Sequence, residues 1–466
     1  MAQRARLVNT TRQVTTYQLY LYILPPPLIL PQLSTEAYTI KELPGDQVDD
    51  VLFRDKYGLR TILLNRPKKL NSVTGSMVRK IVPRMIDWEG SDTANVIVLK
   101  GAGEKALCAG GDIAALAKYN QDGADGWKQS ADYFALKYKL DHYIATYKKP
   151  YVAFMDGITM GGGVGLSIHA PLRIATEKTV FAMPETTIGF FPRRRRLLLL
   201  SANRLTGADV FYSGIATHYL HSSSLPKLEA RLAELRFSDG DTPEQRIARI
   251  NDTIEEFATG LPDDQPMTLA GETRRAIDRC FDKSNLDDIV AALKAETGRT
   301  KEWRKRQLAT FAGALADRNP PFEREHQIAS KFMQHPDFTE GVTALLFRKE
   351  TPKWQPESLA AIDARDNVVK PLVEFDQHRK VGLFTDRTFS DYPHPQVGVP
   401  SEREIKDIVI NNTLTPRELA YRVIASRGGR QGIATIVNEI ITRKVLTDST
   451  GKAKWLEDET SSSSKL

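Results

Sequence analysis

Cysteine is nearly absent: Cys108 and Cys280 are the only two in 466 residues. That excludes a disulfide-stapled scaffold and a zinc site built on cysteines, and it fits a reducing, intracellular setting. Acidic residues are missing before Glu36, while Arg4, Arg6 and Arg12 lie there among Thr, Asn and Gln. A basic, hydroxyl-containing, acid-free stretch has the composition of a mitochondrial transit segment, and equally of an unstructured tail. Long apolar runs are missing too. The greasiest, Leu19–Pro31, is cut by Pro25, Pro26, Pro27 and Pro31, so no membrane span is expected. No repeat recurs at a solenoid period.

What is there supports a large folded chain. Apolar residues make up 41% and charged residues 26%, which excludes wholesale disorder. The length suggests about three domain-sized units or one decorated fold. Lys and Arg number 65 against 58 Asp and Glu, a net +7. The excess is diffuse, so it does not by itself point to nucleic acid and would equally suit an anionic small ligand.

Periodicity divides the chain into four stretches. Residues 1–36 read as leader or tail. Residues 37–205 read as an α/β core: apolar strands at Leu59–Asn65, Asn95–Lys100, Tyr151–Asp156 and Leu172–Thr176 alternate with helical segments. Strands without a polar face need both sheet faces covered, as in βαβ units. One intervening helix spans about Ser76–Glu89, with Met77, Ile81 and Met85 on one face and Pro83 inside. Residues 206–362 read as mostly helical, for example at Ile247–Phe257, Leu286–Thr297 and Phe322–Met333. Residues 363–466 read as an appended region with a helical part at Arg417–Val445.

Three motifs could carry chemistry. Cys108-Ala109-Gly110-Gly111-Asp112 follows one strand, and Met160-Gly161-Gly162-Gly163-Val164-Gly165 follows another. Each glycine turn alone reads first as close helix–strand packing. Together, two such turns can aim one backbone N–H each at a single oxygen, an oxyanion hole. A dinucleotide fingerprint is disfavoured, because the G-x-G-x-x-G spacing is missing. The third motif, Phe181–Pro192, holds Glu185 in an apolar stretch. A lone carboxylate there suits general acid–base work, although after Pro184 it also reads as a helix N-terminal acid. Cys108 reads as packing, since no His lies nearby in sequence. His142 and His169 read as polar groups at element ends.

In this order, the Asn65–Asn71 turn (NRPKKLN), CAGGD, ITMGGGVGLSIHAP and FAMPETTIGFFP resemble the crotonase (enoyl-CoA hydratase/isomerase) superfamily. GITMGGGVGLS and MPET-IG-FP resemble its 3-hydroxyisobutyryl-CoA hydrolase branch, as do His335–Val342 and Pro352–Trp354. The resemblance covers roughly residues 45–362. It implies an α/β fold, a crotonase-like spiral of ββα units followed by a mostly helical C-terminal part. It also implies a thioester carbonyl held by the N–H groups of Gly111 and Gly162, with Glu185 as the catalytic carboxylate. Lys68 or Lys69 would meet the CoA phosphates, and Gly110, Asp112 and Gly161 would complete the substrate-binding set. The implied reaction is hydrolysis of 3-hydroxyisobutyryl-CoA in valine breakdown, in mitochondria. It needs no metal and no cofactor beyond the CoA of the substrate, and it is compatible with an oligomer.

The chain also departs from that pattern. Lys137 and Arg193 stand where the branch has acids, two cations that could hold an anionic substrate but cannot accept a proton from water. Arg193–Leu200 (RRRRLLLL) replaces a glycine-rich loop, and a second piece is short near Asn319-Pro320-Pro321. Fungal relatives of the branch resemble a component of the mitochondrial ribosome's small subunit. The basic balance, the Arg run and the long C-terminal region favour that alternative, in which nucleic acid becomes a partner. The terminal Ser464-Lys465-Leu466 after Ser461–Ser463 is a peroxisomal address and sets a rival location.

Overall fold

In the computed structural model the described residues are 39–190, 204–265, 267–281, 286–297, 300, 322–355, 357, 381–389 and 393–456. The strands assemble as their all-apolar composition demands. β1 (Val51–Lys56) pairs antiparallel with β2 (Leu59–Leu64), which is buried along its whole length. After β2 comes α1 (Gly75–Glu89), started by the Thr74 side chain accepting from the Met77 N–H and continuing through Pro83. From there the chain repeats one unit. β3 (Val96–Gly101) turns into β4 (Ala106–Cys108), followed by α2 (Ile113–Asn120) and α3 (Trp127–Ala145). β5 (Tyr151–Met155) turns into β6 (Ile158–Met160), followed by α4 (Gly162–Ser167). β7 (Leu172–Ala175) turns into β8 (Val180–Ala182), followed by a 3₁₀ turn at Glu185–Ile188.

In one sheet, ordered β1-β2-β3-β5-β7, the strands from β2 onward stack parallel beside the antiparallel β1, and the second strands of the units stack parallel in another, β4-β6-β8. This is the expected spiral of ββα units. β9 (Leu205–Thr206) closes the smaller sheet and, after α5 (Ala208–Tyr212), β10 (His218–Tyr219) closes the larger one against β7. The helical half therefore contributes an edge strand to the α/β half.

Helices follow: α6 (Leu225–Ala233), α7 (Pro243–Glu255), α8 (Gly271–Phe281), α9 (Leu286–Ala295), α10 (Phe322–Gln334) and α11 (Pro336–Thr343). The helix expected from Ile247 starts earlier, at Pro243. A reciprocal capping box between Thr242 and Gln245, with Pro at the first helical position, nucleates it there. α12 (Glu402–Asn411), α13 (Pro416–Ser426) and α14 (Ile433–Lys444) precede the hairpin β11 (Val445–Thr447) and β12 (Ala453–Trp455). The helical stretch expected at Arg417–Val445 is thus two helices. Gly428, Gly429 and Gly432 all take positive φ between them, which breaks the run.

The residues read as an appended region share the main core. Phe384, Ile405, Leu419, Val423 and Val437 are buried in the same cluster as Met77, Ile81 and Tyr143. Phe384 lies edge-on to Tyr143 with ring centroids 6.3 Å apart. Arg387 clamps the contact. It donates to both carboxylate oxygens of Glu89 at 2.9 and 3.0 Å and to the Thr146 carbonyl at 2.8 Å. Among the described residues no helix is long and apolar enough to cross a membrane.

Candidate functional site

Three loops leave the carboxyl ends of three neighbouring parallel strands. β4 pairs with β6 through Cys108 and Thr159, and β6 pairs with β8 through Met160 and Ala182. This register brings Gly110-Gly111, Gly161-Gly162 and Glu185 to one end of the small sheet, though they are far apart in sequence. A Cβ built on Gly162 would stand 3.1 Å from the Gly111 nitrogen and 3.2 Å from the Gly110 carbonyl carbon. The two peptides are in contact, and neither N–H has an acceptor among the described residues. Gly162 is the first residue of α4, so its N–H is one of the donors a helix start leaves open.

The glycines are not equivalent. Gly161 has φ 47°, which turns the chain from β6 into α4. Gly163 is a close approach: a Cβ there would lie 2.3 Å from the Cys108 carbonyl oxygen. The packing reading and the oxyanion reading of this run thus apply to different residues.

Glu185 opens the 3₁₀ turn after β8, and its carbonyl accepts from the Phe190 N–H at 3.0 Å. Its Oε1 lies 3.6 Å from where a Cβ on Gly161 would be, so the carboxylate flanks the glycine pair. The loop is held from outside. Cβ atoms on Gly189 and Gly341 would collide with Asp337 and Ile188 backbone atoms at 2.5 and 2.6 Å, and the Trp354 ring stands 2.9 Å from both positions. The His335–Val342 and Trp354 motifs therefore act as a brace for the Glu185 loop. Phe190 locks it further, stacking on Phe134 with centroids 5.1 Å apart.

The α3 helix adjoins both the Glu185 loop, through Phe134 on Phe190, and the Gly111 turn, through Tyr133. Tyr133, Lys137 and Asp141 are spaced by four and share one helix face. The Tyr133 hydroxyl donates to the Val73 carbonyl at 3.2 Å and lies 2.8 Å from a Cβ position on Gly111. Lys137 forms an ion pair with Asp141, with side-chain exposures of 4% and 0%. This corrects the expectation of a bare cation able to hold an anionic substrate: the Lys137 charge is offset by a carboxylate one turn away. Burial, reinforced by Cys108, Asp141 and Asp112, raises the Tyr133 phenol and keeps it protonated. Cys108 is wholly buried. Its thiol donates to the Gly110 carbonyl at 3.3 Å and is pushed up to about 11 by burial, so it is inert.

Gly110 is buried with φ 127°, and its carbonyl accepts from the Val73 N–H at 2.8 Å. Asp112 caps α2, accepting from the Ala115 N–H at 3.3 Å, and pairs with Arg66 at 2.8 Å. Its carboxylate therefore orders the glycine turn rather than presenting itself to a ligand. Lys68 and Lys69 are exposed on a 3₁₀ turn at Pro67–Lys69. Asn71 staples that turn by donating to the Ala102 and Ala106 carbonyls at 2.9 and 2.8 Å. The Ala109 N–H, just before Gly110, bonds to the Leu70 carbonyl at 2.9 Å, so both lysines stand beside the site. Arg193, the Arg193–Leu200 run, the 319–321 segment, the leader and Ser464–Leu466 lie outside the described residues.

Sequence reasoning missed Arg66, Tyr133 and Asp141. The four-residue spacing on α3 was visible, but not which face of the helix meets the glycines. Among the described residues no group of three His, Cys, Asp or Glu is placed to hold a metal ion. A separate cleft of about 520 Å³ lies between the end of α2 and α11; none of Gly111, Gly162 or Glu185 lines it.

The enoyl-CoA hydratase/isomerase family matches the chain at residues 59–194, 195–316 and 312–370. The small ribosomal subunit protein mS47 of Neurospora crassa is 46% identical over 471 residues, spanning 91% of this chain and 92% of that protein. The mitochondrial 3-hydroxyisobutyryl-CoA hydrolase of Gallus gallus is 38% identical over 376 residues, 74% of this chain and 93% of its own. Among solved structures, a carnitinyl-CoA dehydratase from Mycobacterium thermoresistibile superposes with a TM-score of 0.59 at 29% identity. It covers 72% of this chain and 98% of that one.

Proposed function

Because the chain belongs to the enoyl-CoA hydratase/isomerase (crotonase) family, in its 3-hydroxyisobutyryl-CoA hydrolase branch, we propose that it hydrolyses a short acyl-CoA thioester, 3-hydroxyisobutyryl-CoA, in mitochondrial valine breakdown. The carrying observation is the pair of N–H groups on Gly111 and Gly162, without acceptors among the described residues, flanked by Glu185. The thioester oxygen sits between the two N–H groups. Water attacks the carbonyl carbon, Glu185 takes a proton from it, and negative charge builds on the oxygen where both donors strengthen. Each donor contributes about 3–4 kcal/mol to that transition state. The tetrahedral intermediate then collapses, the carbon–sulfur bond breaks, and CoA leaves as a thiol on taking up the proton. Gly110 and Gly161 shape the hole, and Lys68 and Lys69 meet the CoA phosphates. No metal or separate cofactor enters this scheme.

Release of free thiol from 3-hydroxyisobutyryl-CoA by the purified chain tests the reading. Turnover that falls about 10²-fold or more in Glu185→Gln supports it. No turnover in the unaltered chain refutes it.

A second reading has its own observation. The match to the ribosomal protein spans 91% of this chain, whereas the hydrolase match covers 74%, and residues of the C-terminal region pack on the main core. In this reading the chain is a component of the mitochondrial ribosome's small subunit, and the Lys137–Asp141 pair marks a site released from water activation. Sedimentation of an internally tagged chain with the small subunit in a sucrose gradient supports it; migration only as free protein counts against it.

A further inference from the structure

A polar stripe runs along α3, with Tyr133 half-buried beside the Gly111 turn and Lys137 and Asp141 buried behind it. The rest of the helix is spent on packing: Leu140, Tyr143 and Ile144 enter the main core, while Phe134 and Tyr138 join the aromatic cluster around Phe190. Tyr133 also touches that cluster, edge-on to Phe134 at 5.3 Å, but its phenol oxygen lies over the Gly111 Cα, on the helix face that carries Lys137 and Asp141. A pocket for a plain hydrocarbon needs no such wall.

The chemistry of the stripe narrows what it can read. Lys137 is paired with Asp141, so its charge is offset by a carboxylate one helical turn away. The Tyr133 proton is directed at the Val73 carbonyl, which leaves the lone pairs of the phenol oxygen as acceptors. The fitting partner is a neutral donor. We propose that Tyr133 is a specificity-determining residue that accepts a hydrogen bond from a hydroxyl group on the acyl chain, with the Lys137–Asp141 pair as the neutral polar floor behind it. This deepens the thioester reading of the same site and rests on it for the placement of the carbonyl. An acyl group without the hydroxyl desolvates the phenol oxygen and gives nothing back.

The test compares two thioesters that differ only in that group, 3-hydroxyisobutyryl-CoA and isobutyryl-CoA. Both Kd by calorimetry and kcat/KM by thiol release are measured on the full chain and on Tyr133→Phe, with melting temperature as the folding control. The full chain should prefer the hydroxylated thioester by about 10- to 100-fold. In Tyr133→Phe the ratio should collapse to within about threefold. An equal ratio in chain and variant, or no preference in the chain, overturns the assignment. Hydroxyl-dependent binding that the variant loses, without turnover in either, upholds it and sinks the hydrolase reading. Turnover without hydroxyl preference does the reverse. If neither thioester binds, both fall.

Discussion

Gly163→Ala separates packing from chemistry in the glycine run. The added methyl would lie 2.3 Å from the Cys108 carbonyl oxygen, 2.8 Å from the Cys108 Cβ and 3.0 Å from its carbonyl carbon. Ordinary contact begins near 3.4 Å, so α4 and β4 must part by about 1 Å. No flexible side chain can yield, because the obstacle is backbone paired to β6. Overpacking of this kind costs about 1–3 kcal/mol. In a chain this long that lowers the melting temperature by about 1–3 °C. The same 1 Å shift carries the adjacent Gly162 N–H away from Gly111, and a misplacement of that size costs about 10²-fold in turnover. Thermal unfolding and thiol release on one preparation read both effects. Gly240→Ala, with nothing within 4 Å of the new methyl, is the neutral control. If Gly163→Ala melts with the parent and binds CoA thioester unchanged, the close approach of α4 to β4 is wrong, and the placement of the Gly162 N–H falls with it.

Other perturbations reach different parts of the molecule. Gly162→Pro removes one N–H at a first helical position, where the backbone suits proline although its Cβ would press on the Gly111 nitrogen at 3.1 Å. Turnover should drop about 10²–10³-fold, while thioester Kd changes far less; equal losses in both would argue against the oxyanion role. Arg387→Ala leaves the Glu89 carboxylate without its bidentate partner and should cost about 3 kcal/mol. Limited proteolysis should then cut within 381–389 before the α/β core, and an unchanged digestion pattern would show that the clamp is dispensable. His218 is wholly buried and lowered to about 3 by burial, with Arg430 adding to the effect. It is neutral when folded, so its stabilisation is full above the unfolded value of about 6.5 and is lost as pH falls from there toward 3, at about 1.4 kcal/mol per pH unit. Urea unfolding from pH 7 to 4 should show this slope, and His218→Asn should flatten it; parallel curves would refute the assignment.

Local pattern carried much of this protein. Apolar strands without a polar face, glycine turns at strand ends and a carboxylate after Pro184 are properties of short stretches, and they marked an α/β core, the two turns and Glu185 as a candidate, while the ββα spiral followed only from the resemblance to the crotonase superfamily. Helix starts were legible where a capping box wrote them, as at Thr242, although the apolar period alone placed that start too late. Tertiary structure decided what those stretches face. Gly111 and Gly162 meet only because β4 and β6 are parallel neighbours in one register. Burial is non-directional, so a buried helix face does not name its partner. For that reason Tyr133 over Gly111, Asp141 cancelling Lys137, Arg66 claiming Asp112 and Phe384 under Tyr143 could not be read from spacing. A charge on paper is likewise only half a statement. Lys137 read as a free cation in sequence, and its character was set by a carboxylate one helical turn away on a face that only the fold buries.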